Sequence, residues 1–476
     1  MAKIKYGVLL DTGDLDAVFN KLRILRYKNY ITYLPTLNGG ATEKIIQYLY
    51  EHGYEYEKDF THITNHEGNT LEIRLTKWDK QLIFWSFENA TASRWKDWLK
   101  IEPQMDKDKF LTIVDRMRAM GFKTMTSSMA CWNMWKYGDE DKRIYSQSYS
   151  YDRDFPHIEN SLALEYIDGS YRGGIIRVQK DYLKKDYKGD FMVYDFNSMY
   201  PTMMLQRYPT GFPQFFANRS EAVANGYDLT IHKVWVRRAK IRQGFEPFIQ
   251  FKTEIAYTYE YPEQFEDAIL YLWDIEMEQF EFFYDVEYKS KDDVLGFKSS
   301  TGHFNAYINY WKAEKDKSKL ENDKVGHMIA KVALNSLYGK FGTKYIHDNI
   351  VYTYANGQLK RTYTSKVSTA KYYRPFASFI TAKARTKLIL QIQNNADKFI
   401  YCDTDSIYFK GSRTPDLEIH KSKLGAWKLE GIYKRIIIKA PKYLIKQRTN
   451  GDVERVMAGT IEEIANNITF DNILQP

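Results

Sequence analysis

Two cysteines in 476 residues, Cys131 and Cys402, are too few for a disulfide framework or a zinc cage. No apolar run approaches the length of a membrane helix. The stretch Gly7-Val8-Leu9-Leu10 is too short for a secretory signal before it meets Asp11. Repeats and low-complexity segments are missing too. These absences point to a reducing, cytoplasmic interior. What is present is a chain able to bury a proper core: 44% of residues are hydrophobic and 27% charged, enough for about two to four lobes. The net charge of +8 suits a polyanionic partner but shifts the balance only slightly, since modest basicity is common. Aromatic content is 16%, with 39 Tyr. Base stacking would use such residues, yet their spread along the whole chain favours a plain composition bias.

The periodicity predicts helices over residues 44–50, 106–117, 325–338 and 379–392, and strands over 71–75, 82–85 and 191–194. Tyr171-Arg172-Gly173-Gly174 reads as a glycine turn at a junction between lobes, ahead of the basic residues Arg177, Lys180, Lys184, Lys185 and Lys188. Asn356-Gly357 suits a tight hairpin turn, and a second hairpin is expected near Asp403. The end is basic and β-like around Arg435–Lys439 and Lys442–Lys446.

Three constellations carry chemistry. In Tyr194-Asp195-Phe196-Asn197-Ser198-Met199-Tyr200-Pro201 an apolar strand ends in a carboxylate, and the proline suits the first position of a helix. A carboxylate held at a strand end can ligate magnesium; a strand-end Asp capping a helix is the plainer alternative. Tyr200 could close a pocket floor against a sugar 2′-hydroxyl, or pack as a core Tyr. In Phe399-Ile400-Tyr401-Cys402-Asp403-Thr404-Asp405-Ser406-Ile407-Tyr408-Phe409 apolar flanks surround an acidic centre. The pattern reads as a buried hairpin with carboxylates at its tip, a plain acidic turn being the alternative; on an extended strand Asp403 and Asp405 would point the same way and require a neutralising cation or basic group. In the third, His327, Lys331, Asn335 and Tyr338 share one helix face, with Val325, Ile329, Val332 and Ala333 opposite. Alone this is an amphipathic helix with a polar face. Together the three supply separate carboxylates, a cation for pyrophosphate and a surface for a base, which is what two-metal nucleotidyl transfer requires.

These segments resemble motifs A, B and C of family B DNA polymerases: Asp-x-x-Ser-Met-Tyr-Pro from Asp195, Lys-x3-Asn-Ser-x-Tyr-Gly from Lys331, and Tyr-x-Asp-Thr-Asp-Ser from Tyr401. Reverse transcriptases and RNA replicases carry adjacent aspartates, so Thr404 sets this chain apart from them. Tyr171–Gly174 resembles the linker motif of the protein-primed branch found in small tailed phages and linear plasmids. Thr381-Ala382-Lys383-Ala384-Arg385 is similar to its segment before motif C, Gly296–Gly302 to the end of its terminal-protein insertion, and Ala458-Gly459-Thr460 to the start of its thumb.

The resemblance covers residues from about 166 onward and implies an α+β right-hand fold of palm, fingers and thumb. The implied order is a degenerate or shortened exonuclease-like lobe over 1–165, the linker motif and first palm segment over 166–204, and the terminal-protein-type insertion with palm over 205–311. Fingers follow over 312–342, a second insertion tied to strand displacement and processivity over 343–366, palm with the acidic hairpin over 367–430, and a short thumb over 431–476. By the same resemblance, Asp195 and Asp405 are the main ligands of two Mg2+ ions, for which Mn2+ can substitute, with Asp403 in support. Lys331 binds phosphate, helped by Lys319. Tyr200, Ser198, Met199, Asn335 and Tyr338 serve the nucleotide. Tyr171, Arg172, Gly173, Gly174, Ser336, Gly339, Thr381, Arg385, Thr404, Lys442 and Tyr443 serve DNA. The implied activity is DNA-templated DNA synthesis from a 3′ hydroxyl or a terminal-protein hydroxyl during phage or plasmid replication, in the host cytoplasm. Its partners are primer-template DNA, dNTPs and a terminal protein, with no membrane.

Three departures stand out. The family's Lys-x-Tyr after motif C appears only as Pro441-Lys442-Tyr443. The chain stops short of a full thumb. The N-terminal lobe lacks the exonuclease signatures: Leu10-Asp11-Thr12 stands where Asp-x-Glu is normal, Leu37-Asn38-Gly39-Gly40-Ala41 has no Asp, and Tyr137 to Asp141 is a weak match to Tyr-x3-Asp. A lobe without proofreading is expected. The competing class is a non-catalytic nucleic-acid-binding remnant of a replicase, against which the intact aspartates and Lys331 argue.

Overall fold

The computed structural model describes residues 5–37, 40–64, 69–139, 144–253, 259–343, 346–367, 372–411, 416–458, 460 and 462–475. Asn38, Gly39, Asp141 and Gly459, each part of a motif weighed above, lie outside the described residues. The chain divides into two compact units, Met1–Asp152 with His303–Tyr372, and Arg153–Gly302 with Tyr373–Pro476.

In the first unit a five-stranded sheet runs in the order Lys5–Val8, Asn29–Leu34, Lys80–Ser86, Thr70–Lys77, Phe60–Thr64. The first three strands are parallel, and the remaining pairings are antiparallel. Helices Leu15–Ile24 and Ala41–Glu51 close one core with Phe19, Ile45, Ile46 and Leu49 against Ile73, Leu75 and Phe84. The apolar spacing of residues 44–50 is what makes this helix pack. Asp106 caps helix Lys107–Ala119 by accepting from Lys109 N, so the predicted start at 106 is its cap. Asp11 follows the edge strand Lys5–Val8, is exposed, and accepts from Gly13 N.

Helices Asn305–Leu320 and Lys324–Phe341 form a hairpin through left-handed Asn322 and the cap Asp323, which accepts from Gly326 N. On the second helix Ile329, Val332 and Ala333 are buried while Lys331 and Asn335 are exposed, as the spacing predicts; Val325 is only half-buried. Aromatic residues mostly do core work here: Trp135 stacks on Phe304 and meets Phe341 edge-on, and Trp132 meets Tyr151 and Tyr372 edge-on.

The β-hairpin Ile346–Ala355 and Gln358–Val367 turns at Asn356 and Gly357, both with positive φ, as the dipeptide predicts. Its Ile350 and Tyr352 enter the hydrophobic core of the N-terminal sheet. Ile350 N donates to Thr64 Oγ1, Tyr50 OH donates to Tyr352 O at 2.9 Å, and His62 Nε2 donates to Ile350 O at 2.6 Å.

The second unit is built on a seven-stranded antiparallel sheet. Its order is Val453–Met457, Tyr443–Arg448, Trp427–Ala440, Asp186–Phe196, Ser406–Lys410, Phe399–Asp403, Ile176–Val178. Helix Arg374–Asn394 is largely buried. Residues 208–300 add a second sheet in the order Gln264–Trp273, Leu229–Ile241, Val294–Ser300, Tyr208–Phe216, with Tyr284–Lys291 also pairing with Leu229–Ile241. Cys131 and Cys402 are both buried and free. Among the described residues no helix is long and apolar enough to cross a membrane.

Burial holds the His62 pKa below the usual histidine value, against the opposing pull of its bond to Ile350 O. Its buried Nδ1 has no hydrogen-bond partner, so a second proton there has no acceptor. A histidine with a depressed folded pKa stabilises fully above the unfolded value of about 6.5, and that stability falls as pH drops through the folded pKa. Amide exchange over residues 350–354, corrected for intrinsic rates, is therefore expected to accelerate on acidification from pH 7 toward 5. His62→Gln should flatten that response.

Candidate active site

Strand Asp186–Phe196 delivers Asp195 directly opposite Ser406 of the acidic hairpin. Phe196 N donates to Asp405 O at 2.7 Å, which fixes the backbone of the two aspartates side by side. Asp403 ends its strand and pairs with Ser406, leaving Thr404 and Asp405 as the turn. The turn is tight: Asp405 N donates to Asp403 O at 2.6 Å across Thr404, whose φ is 60°. This is a γ-turn with a β-branched residue in the left-handed region, a conformation that costs roughly 1–3 kcal/mol and persists only where neighbours impose it.

The expectation that Asp403 and Asp405 stand two apart on one extended strand is thus corrected. Alternation along a strand does not apply across a turn centred on the residue between them. Asp403 instead takes Lys442 Nζ at 2.8 and 2.9 Å, with Thr404 Oγ1 at 3.1 Å and Tyr401 OH at 3.4 Å. Lys442 has a φ of 59°, and its backbone N donates to Tyr401 OH at 3.1 Å. Burial, and then the Asp403 charge, raise the Tyr401 pKa, so the phenol stays a donor. Tyr443, half-buried, starts the next strand.

After Asp195 the chain turns through Ser198, whose φ is 54°, into helix Met199–Met204. Pro201 occupies the third helical position rather than the first, still within the turn that has no intrahelical N–H partner to lose. Tyr200 and Ser198 are half-buried, whereas Met199 is 2% exposed and packs in the interior.

The linker Tyr171–Gly174 approaches the same turn. Neither glycine has a positive φ, so the predicted glycine turn is replaced by a loop in which glycine supplies space. A Cβ on Gly174 would lie 2.8 Å from Thr404 Cγ2, and Thr404 N donates to Ile175 O at 2.8 Å. Thr381 and Arg385 are each 2% exposed. Arg385 donates to Arg172 O and Gly173 O at 2.5 and 3.1 Å and so sits behind the linker, whereas Thr381 Oγ1 bonds within its own helix, to Ala377 O and Ser378 O.

Lys331, Asn335, Ser336, Tyr338 and Gly339 belong to the other unit, on helix Lys324–Phe341. Ser336 Oγ is 3.3 Å from Ser127 Oγ, Tyr338 is half-buried and Gly339 is exposed. Sequence reasoning passed over one neighbour. Lys315, on helix Asn305–Leu320, has its pKa lowered by burial and then by Lys331, Lys312 and Lys319. Four lysines therefore share one electrostatic neighbourhood, and Lys331 is the charge that acts most strongly on Lys315. No spacing rule within a single helix links positions on two antiparallel helices.

Among the described residues no group of three His, Cys, Asp or Glu is arranged to hold a metal ion. Asp195 and Asp405 remain as a two-carboxylate donor set of hard oxygens. That fits magnesium, which is bound through one or two carboxylates while water and phosphate complete its shell.

Residues 108–424 match the family model of DNA polymerase type B, organellar and viral. The chain is 34% identical over 307 residues to the DNA polymerase of Bacillus phage PZA, covering 62% of this chain and 50% of that one. It is 29% identical over 343 residues to the DNA polymerase of Bacillus phage Nf, covering 67% and 59%. The chain spans about half the length of the first of these curated relatives. The solved structure of phi29 DNA polymerase with primer-template DNA and incoming nucleotide covers 97% of this chain and 88% of its own, at a TM-score of 0.81 and 24% identity. That likeness establishes the right-hand polymerase fold.

A half-buried lysine crowded by other lysines gains from a bound anion. Lys315→Ala and Lys331→Ala are each expected to weaken nucleoside triphosphate binding by about tenfold or more, the scale of a hydrogen bond to a charged group. Equilibrium titration checks this, with Lys319→Ala expected to cost less than either.

Proposed function

The chain belongs to the organellar and viral type B DNA polymerases, and on that premise we propose that it is a DNA-templated DNA polymerase. It adds nucleotides from dNTPs to a 3′ hydroxyl, or to a hydroxyl of a terminal protein, in the replication of a phage or plasmid genome within the host cytoplasm. The observation that carries the reading is the backbone lock between Asp195 and Asp405, through Ser406 opposite Asp195 and Phe196 N on Asp405 O.

Asp195 and Asp405 would hold the two divalent ions. Bound there, Mg2+ supplies charge neutralisation at the attacking and leaving oxygens of an in-line displacement. The protein's own residues do the rest. Asp403 holds Lys442, which places an ammonium group beside the acidic turn for the primer end. Lys331 and Lys315 bind the triphosphate as point charges. Tyr200 closes the sugar pocket against a 2′-hydroxyl, and Tyr338 with Asn335 supports the base. The linker Tyr171–Gly174 meets template, with Arg385 holding it from behind.

Protein priming rests on the relatives' branch and on residues 208–300, which form a sheet of their own where that branch carries its insertion. For the N-terminal lobe we propose a supporting rather than an editing role, since Asp11 is exposed and hydrogen-bonded to Gly13 N beside an edge strand.

Primer extension with magnesium is expected from the wild-type chain, and Asp195→Ala or Asp405→Ala should reduce it at least about a thousandfold, or some 4 kcal/mol of transition-state stabilisation. Equal incorporation by wild type and Asp405→Ala would remove the polymerase reading and leave a nucleic-acid-binding remnant. Single-stranded DNA incubated with the pure protein and magnesium should keep its 3′ end intact; metal-dependent degradation would overturn the assignment of the lobe. Adding a candidate terminal protein and a linear template should yield protein-linked product if priming is by protein.

A further inference from the structure

Glu276 lies at the start of helix Asp274–Phe283, a hundred residues from the linker it touches, and is 5% exposed. Its carboxylate accepts from Arg385 Nε at 2.9 Å and Nη2 at 2.7 Å, from Arg172 Nη2 at 3.4 Å, and from the backbone N of Trp273 at 3.3 Å. Burial would raise its pKa, but Arg385 and then Arg172 hold it below the usual carboxylate value, so the group is ionised. The remaining Arg385 nitrogen, Nη1, donates to Arg172 O and Gly173 O.

From there the path to the acidic turn is short. Gly173 adjoins Gly174, which presses on Thr404; Ile175 O accepts from Thr404 N; Ile176 pairs with Asp403. A buried ion triad is seldom the most stable way to fill a core, because desolvating three charges offsets much of their attraction. Apolar side chains could fill this space, but they could not aim two carbonyls. Only a guanidinium held on its other edge does that, since its donors form a rigid planar fork.

We propose that Glu276 is a positioning residue for nucleotide addition: by anchoring Arg385 it fixes the carbonyls of Arg172 and Gly173, and through Gly174 and Ile175 it holds the strained Thr404 turn that separates Asp403 from Asp405. The inference rests on the polymerase reading of that turn. It concerns the geometry of the turn, so it bears on the chemical step rather than on nucleotide affinity.

The test uses the full chain with two variants. Glu276→Gln removes the anchor. Arg385→Lys keeps a cation against Glu276, and with it the charge balance needed to fold, but a single ammonium cannot hold Glu276 and both carbonyls in the fork geometry. In each folded variant, amide exchange at Thr404 and Asp405 is expected to accelerate at least about tenfold, the signature of a local opening. In primer extension, kcat should fall at least about tenfold while KM for dNTP changes less than about twofold, as for an interaction expressed in the transition state. A lowered Tm with normal exchange at Thr404 and normal kcat would reduce Glu276 to a stabilising group and overturn the proposal. Faster exchange with unchanged kcat, or lost kcat with unchanged exchange, would break the relay and overturn it equally. Exchange is read without nucleotide, so a wild-type chain inactive in extension would sink the polymerase reading while the exchange data still decide whether Glu276 sets the turn.

Discussion

The hydrogen bond from Phe196 N to Asp405 O, at 2.7 Å, is the contact on which the arrangement of the acidic centre depends. It ties a turn residue to the middle of a seven-stranded sheet. The turn itself is unfavourable, because Thr404 sits at a φ of 60° where a β-branched side chain crowds the backbone. Locally it is met by hydrogen bonds inside the turn, from Asp405 N to Asp403 O and from Thr404 Oγ1 to Asp403. It is held from outside, by Phe196 on one flank and by Ile175 O and the face of Gly174 on the other. A side chain at 174 would collide with Thr404. The linker glycine is thus a requirement of space, and two segments distant in sequence from the turn, the linker and the strand carrying Phe196, are each conditions of it.

Charge is distributed with the same economy of position. The net excess of +8 says little on its own. What matters is that Lys442 sits on Asp403, so the acidic turn carries its own cation. The lysines near Lys331 show the opposite condition. Burial and the charges of Lys331, Lys312 and Lys319 act together on the half-buried Lys315, with Asp316 opposing them, while Lys331 and Lys319 themselves are exposed. Such an arrangement is costly when empty and becomes favourable when a polyanion occupies it.

Much of this was legible in the chain because periodicity is a local signal. The helix bearing Lys331, the strand ending at Asp195 and the Asn356-Gly357 hairpin all follow from spacing and turn chemistry. The relative direction of Asp403 and Asp405 was not, because alternation presumes an extended backbone and the left-handed Thr404 interrupts it. Nor was Glu276. Its helix looks ordinary, and its meaning comes from Arg172 and Arg385, 104 and 109 residues away. Lys315 was not singled out beside Lys319 because its part depends on how two helices meet at Asn322 and Asp323, a register no single-helix pattern contains.

The N-terminal lobe makes sense on packing grounds that owe nothing to editing chemistry. Its core is completed by Ile350 and Tyr352, contributed by a hairpin 288 residues beyond His62. Without those side chains, Ile73, Leu75 and their neighbours would face a gap, and cavities of that size destabilise a core by several kcal/mol in general. Without the lobe, the hairpin would be an isolated two-stranded ribbon, which is marginal in water. Each therefore depends on the other. A lobe bound in this way is kept by the stability of the hairpin it carries, and the strands that receive Ile350 and Tyr352 must retain their apolar faces.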